Sequence, residues 1–67
     1  MSDQVQAAGG IFRRHQVEAR TGLSRSAIYD LMARKQFPKP VRLTAKAVGW
    51  KVEEVQAWIN SRERVAG

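Results

Sequence analysis

The sequence predicts a mainly helical domain carrying one small β-hairpin, on three observations. Apolar residues recur at helical spacing in three short windows; two prolines interrupt the chain between the second and third; two β-prone runs follow those prolines. The predicted order is helix, turn, helix, hairpin, helix. A chain of 67 residues holds one domain and buries only about 60% of its unfolded surface, so its core must be compact.

Residues 1–10, "MSDQVQAAGG", are polar and small and end in a glycine pair, which predicts a disordered tail. Ile11-Phe12-Arg13 is predicted to be extended and to anchor that tail to the core. A short helix follows over about Arg14–Thr21, with Val17 and Thr21 on its inner face and Gly22 supplying the positive φ that ends it. No Ser, Thr, Asp or Asn marks its start.

The second helix is better signalled. Ser24 can cap it by accepting from an unpaired first-turn amide. On a 100° wheel Ala27, Ile28, Leu31 and Met32 share one side, and Arg25, Ser26, Tyr29, Asp30 and Ala33 the other. The pattern stops at Arg34-Lys35, cations suited to a helix C-terminus. Pro38 and Pro40 then force extended backbone. Val41-Arg42-Leu43 and Val48-Gly49-Trp50 read as a hairpin joined by the four residues Thr44 to Ala47. The last helix is predicted over about Val52–Arg64, with Val52, Val55, Trp58, Ile59 and Arg62 as its inner stripe and Glu53 and Glu54 at the positive end of its dipole. The domain thus spans 11–64, and 65–67 are predicted to fray.

Charge is the informative bulk property. Twelve Lys and Arg against six Asp and Glu give +6, a balance that attracts polyanions, nucleic acid above all. An anionic membrane would want those charges on one amphipathic helix, and here they are spread from Arg13 to Arg64 across several elements. No apolar run is long enough to span a bilayer and no secretion signal opens the chain, so a cytoplasmic, nucleoid-associated protein is expected. The chain has no cysteine and one histidine, His15, and its carboxylates are scattered. Neither a catalytic group nor a metal site is expected, and no cofactor.

Two helices closing on one small core around a Gly22 corner fit a helix-turn-helix, in which the second helix projects into the major groove. Glu18 stands where such motifs often carry Ala, which predicts a somewhat rotated first helix. On the outer face of the second helix, Arg25 can donate to guanine O6 and N7, Ser26 suits a base edge or a phosphate, and Tyr29 either reaches a phosphate or leans on the hairpin. Asp30 is discordant there: it either accepts from a cytosine amine or pairs with Arg25 or Arg34. Lys46 at the hairpin tip and Arg42 on its first strand are candidates for the phosphate backbone. Phe37, Trp50 and Trp58 are expected in the core.

"VEARTGLSRSAIYDLM", followed by "FPKPVRLTAKAVGWKVEEVQAWI", resembles the AlpA-type phage and prophage regulators of the wider MerR-like and excisionase-like winged-helix group. The resemblance covers roughly Ile11 to Ile59. It implies a winged helix-turn-helix in which Ser24 to Lys35 form the recognition helix and Val41 to Trp50 the wing. On that mapping Arg25, Ser26 and Tyr29 match recognition-helix positions, and Lys39, Arg42 and Lys46 match basic positions around the wing. One departure is at Val52-Glu53, where similar sequences often place a Ser, which leaves the last helix less well capped. The resemblance implies a sequence-specific double-stranded DNA-binding regulator of prophage or genomic-island genes. The alternatives are an excisionase-type factor that bends attachment-site DNA and, in another class, a protein-interaction module using the hairpin edge or the last helix. The chain shows no coiled coil after Arg64 and no ligand-sensing region. Two or more copies on DNA are therefore expected, whether as a dimer or as monomers on neighbouring repeated sites, and no small-molecule effector is expected.

Overall fold

A computed structural model describes residues 9–65 of the chain, so residues 1–8 of the expected 1–10 tail and the last two residues lie outside the described part. The fold is a winged helix-turn-helix: β1 (Ile11–Phe12), α1 (Arg14–Thr21), α2 (Arg25–Ala33), β2 (Val41–Thr44), β3 (Ala47–Lys51) and α3 (Val52–Asn60). All three predicted helices are present, with α1 at its predicted bounds.

Local chemistry explains each boundary. α1 begins without the usual cap residue, but the Gln16 side-chain carbonyl accepts from the Arg13 backbone N–H at 2.8 Å and ties up one free donor. It ends where Gly22 turns left-handed at φ 77°. The Thr21 hydroxyl donates back to the Val17 carbonyl at 2.7 Å and accepts from the Leu23 N–H at 3.2 Å, bracing the corner from inside. Ser24 caps α2 as expected, its hydroxyl oxygen accepting from the Ala27 N–H at 3.1 Å. The helix proper is Arg25–Ala33, with Arg34 as its C-terminal cap.

Three details correct the sequence reading. The hairpin connection is the two residues Ala45 and Lys46, because Thr44 pairs with Ala47. No Asn-Gly is needed there, since the Thr44 hydroxyl accepts from the Lys46 N–H at 3.1 Å and a register shift at Leu43 supplies extra twist. The hairpin is also not alone: β1 adds to it, giving an antiparallel sheet ordered β1-β3-β2 with Phe12 opposite Trp50. Finally, α3 stops at Asn60, a turn short of the predicted Arg64. The Ser61 hydroxyl donates to the Trp58 carbonyl at 2.7 Å, and Arg62 folds back over the Trp58 ring at 4.3 Å instead of extending the stripe. The weak N-terminus of α3 has a tertiary remedy. Its first amide, Val52 N–H, donates to the Gly10 carbonyl at 3.0 Å.

The core is Val17, Ile28, Phe37, Trp50 and Val55, with Phe12, Leu23, Leu31, Met32, Trp58 and Ile59 packed around it. It draws one or more residues from every helix, from β3 and from the proline segment, which is how so short a chain closes around one centre. Both indoles satisfy their polar edge while burying the ring. Trp50 Nε1 donates to the Pro38 carbonyl at 3.0 Å and Trp58 Nε1 to the Gln36 carbonyl at 2.8 Å. These two bonds pin the segment between α2 and β2 to the core.

Candidate nucleic-acid interface

The charge of the chain is concentrated in one stretch. Between Gly22 and Lys51 there are seven Lys and Arg and one carboxylate, Asp30, so the whole +6 excess falls on α2, the proline segment and the wing. Among the described residues the other carboxylates lie elsewhere: Glu18 is ion-paired with Arg14 inside α1, and Glu53, Glu54 and Glu63 belong to α3 and the segment after it.

α2 buries Ile28 against the core and leaves Ser24, Arg25, Ser26, Tyr29, Asp30, Ala33 and Arg34 exposed, the division that the wheel predicts. Two arrangements order this face. The Arg25 guanidinium lies 5.8 Å from the centroid of the Tyr29 ring, and Tyr29 stands edge-on to Trp50 of β3 at 6.5 Å, with its plane at 70°. Because Trp50 is fully buried, Tyr29 leans on the wing with its own ring still exposed. One turn further on, Arg34 Nε donates to Asp30 Oδ2 at 3.0 Å. Asp30 is thus bonded to Arg34, one of the partners its position suggested, and both side chains are more than half exposed.

The wing residues are arranged differently. Lys39 is exposed between the two half-buried prolines. The Arg42 guanidinium donates to the Ala45 carbonyl at 3.3 Å, which holds it along the turn. Lys46 is exposed on that turn. The structure thus joins Arg25 to Tyr29, Asp30 to Arg34, and Arg42 to the turn that carries Lys46. Among the described residues no hydrogen bond or ion pair links Lys39 or Lys46 to α2. Phe37 and Trp50 are buried, and Trp58 is half-buried against Phe37, the ring centroids 4.8 Å apart, so none of the three presents a free face for stacking on a base.

Sequence reading misses two positions that shape this face. Gly49 sits in the central strand where a side chain would run into β1 and Leu43; an isolated glycine in a strand run is the available signal. Lys35 adopts a left-handed backbone at φ 62° directly after α2, and the lack of Gly or Asn at that helix end gives no hint of it. Among the described residues no helix is long and apolar enough to cross a membrane and no cluster of three metal-ligating side chains forms.

Comparison with known proteins agrees with the geometry. Residues 10–63 match the model of a family described as prophage CP4-57 regulatory protein (AlpA). The chain is 36% identical over 58 residues to the DNA-binding transcriptional activator AlpA of Escherichia coli K12, an alignment covering 78% of this chain and 83% of that protein. It is 49% identical over 41 residues to the uncharacterized protein ORF88 of Enterobacteria phage P4, covering 61% of this chain and 47% of the phage protein, about half its length. No solved structure matches significantly.

Proposed function

The chain belongs to the AlpA family of prophage regulatory proteins, and on that footing we propose that it is a sequence-specific double-stranded DNA-binding regulator of transcription. In this reading α2 enters the major groove and the β2–β3 wing lies along the phosphate backbone. The observation that carries the reading is the coincidence of the entire positive excess with α2, the proline segment and the wing, where Arg25, Arg34, Lys35, Lys39, Arg42 and Lys46 are all exposed. The chain is then a binding protein rather than an enzyme.

The roles follow from side-chain chemistry. Arg25, on the first turn of α2, is long and planar enough to donate twice to guanine O6 and N7. Its stacking on Tyr29 reduces the freedom it must lose on binding. Ser26 takes a base edge or phosphate oxygen beside it. Ser24 is already committed to its cap through Ala27, and it serves by fixing where the helix begins. Asp30 offsets the charge of Arg34 and sets the direction of that guanidinium. Lys39, Arg42 and Lys46 lie on phosphates and position the protein without reading sequence. One helix of nine residues reads only a few base pairs, so useful specificity calls for two or more copies on DNA.

The experiment is selection of bound duplexes followed by footprinting at the site found, with Arg25→Ala alongside. A discrete protected site at a promoter supports the reading. Arg25→Ala should cost about 1–3 kcal/mol on that site and relax preference at one base pair; an equal loss on every sequence would move Arg25 to a phosphate. Protection of phased repeats in a recombination attachment region would instead give the protein an excision role. Failure to bind any duplex in a salt-dependent way would overturn the proposal.

A further inference from the structure

Lys35 breaks a local rule that the same chain keeps elsewhere. At the end of α1 the left-handed position is a glycine, Gly22 at φ 77°; at the end of α2 it is Lys35 at φ 62°, the only non-glycine residue with positive φ among those described. The left-handed turn itself is required. On the wheel of α2, continuing the helix would swing residue 35 onto the inner face beside Ile28 and Leu31, where a lysine cannot be buried. The turn also carries the chain to Phe37, which does enter the core. What the turn does not require is a side chain, and an L-residue is strained there while glycine is not.

The surroundings hold this strained residue firmly. Lys35 N–H donates to the Met32 carbonyl at 3.0 Å and Gln36 N–H to the Leu31 carbonyl at 2.8 Å, the paired closure of a left-handed helix end. The next carbonyl, that of Gln36, is pinned by Trp58 Nε1. Strain that persists because its surroundings over-determine it clusters at functional positions. Lys35 is exposed and makes no ion pair with any described residue, whereas its neighbour Arg34 is taken up by Asp30. It is therefore the first uncommitted cation after the outward face of α2, and it begins a run continued by Lys39, Arg42 and Lys46 toward the wing.

We propose that Lys35 is a phosphate-backbone contact joining the recognition helix to the wing, kept as lysine at the expense of the stability that glycine would give. This rests on the DNA-binding reading above. A lysine serving only the negative end of the helix dipole would affect stability and leave DNA alone, so charge and backbone must be varied separately. The variants are Lys35→Gly, which relieves the backbone and removes the charge; Lys35→Gln, which removes the charge alone; and Lys35→Arg, which keeps both charge and strain. Melting temperature is measured with duplex affinity over a salt series, using the selected site and a scrambled duplex.

Lys35→Gly is expected to melt about 2–8 °C above Lys35→Gln. Both should bind either duplex about three- to ten-fold more weakly near 0.1 M salt, with the log–log salt slope reduced by about one, while Lys35→Arg keeps the parent slope. An unchanged slope and affinity in Lys35→Gly overturns the contact. Equal melting of the Gly and Gln variants overturns the claim of retained strain. If the parent protein itself shows no salt-dependent binding, the functional reading falls and this inference with it; parent-level affinity and slope kept in Lys35→Gly sink this inference alone.

Discussion

Replacing Gly49 by alanine tests the sheet that carries the wing. The backbone of Gly49 is not left-handed, so conformational freedom is not the reason for the glycine; space is. A Cβ placed there would lie 2.3 Å from Ile11 Cγ2, 3.0 Å from the Phe12 carbonyl oxygen and 3.2 Å from Leu43 Cδ1. Carbon atoms prefer roughly 3.5–4.0 Å, so the Ile11 methyl must retreat by more than about 1 Å. Ile11 is 37% exposed and can swing aside. The Phe12 carbonyl cannot, because it belongs to the strand that pairs with β3 around Trp50. Overpacking of this kind costs about 1–3 kcal/mol. The reduced freedom of alanine in the unfolded chain returns about 0.4–1 kcal/mol. The net expectation is a loss of about 1–2 kcal/mol, or a Tm lower by about 4–16 °C for a domain of this size. Thermal melts followed by far-UV circular dichroism give the number. Ile11→Ala, which removes the nearest methyl, should make the Gly49→Ala penalty smaller in the double variant without abolishing it, since the Phe12 oxygen remains. A Tm equal to or above that of the parent would refute the steric argument.

Three further expectations concern the interface. Asp30→Asn removes an exposed ion pair worth at most about 0.5 kcal/mol, so the urea midpoint should barely move; affinity for every duplex should rise several-fold, and weaker binding would mean that Asp30 accepts from a base. Lys46→Ala should weaken binding to all sequences and lower the salt slope by about one, read by fluorescence anisotropy over a salt series, and an unchanged slope would remove Lys46 from the interface. Tyr29→Phe keeps the ring that faces Trp50 and supports Arg25 while deleting the hydroxyl; binding within two-fold of the parent is expected, and a ten-fold loss would show that the hydroxyl holds a phosphate.

Much of the fold is legible because this small core leaves the periodicities clean. Val17, Ile28 and Val55 are buried where the helical wheels place them, and Gly22 and Ser24 mark the corner by chemistry that acts within a few residues. What sequence hides depends on partners distant along the chain. Ile11-Phe12 reads as extended, but its pairing with Lys51 and Trp50 spans some forty residues, and no local pattern encodes that register. The end of α3 is hidden for a different reason. Arg62 fits the helical stripe by spacing, yet it finds a better place over the Trp58 ring. At the interface, charge and exposure are legible, and so is the pairing of Asp30 with Arg34, which stands four residues on along the same helix face while Arg25 stands five away; the seat of Tyr29 against Trp50 is not, because it joins elements distant in sequence.

The seat of Tyr29 follows from the way the wing meets α2. Trp50 is the shared element: its indole N–H fixes the proline segment through the Pro38 carbonyl, its strand is central to the sheet, and its ring supports Tyr29. Arg25 stacks on Tyr29, and Asp30 pairs with Arg34, its i,i+4 neighbour. The first-turn arginine of α2 is thereby oriented by a buried residue of the wing, although the two are twenty-five positions apart in sequence. A wing attached only through its own hairpin would move independently of the helix and could give that helix no fixed angle. A wing packed under Tyr29 and tied through Pro38 to the segment that leaves α2 is held to the helix by contacts outside its own hairpin.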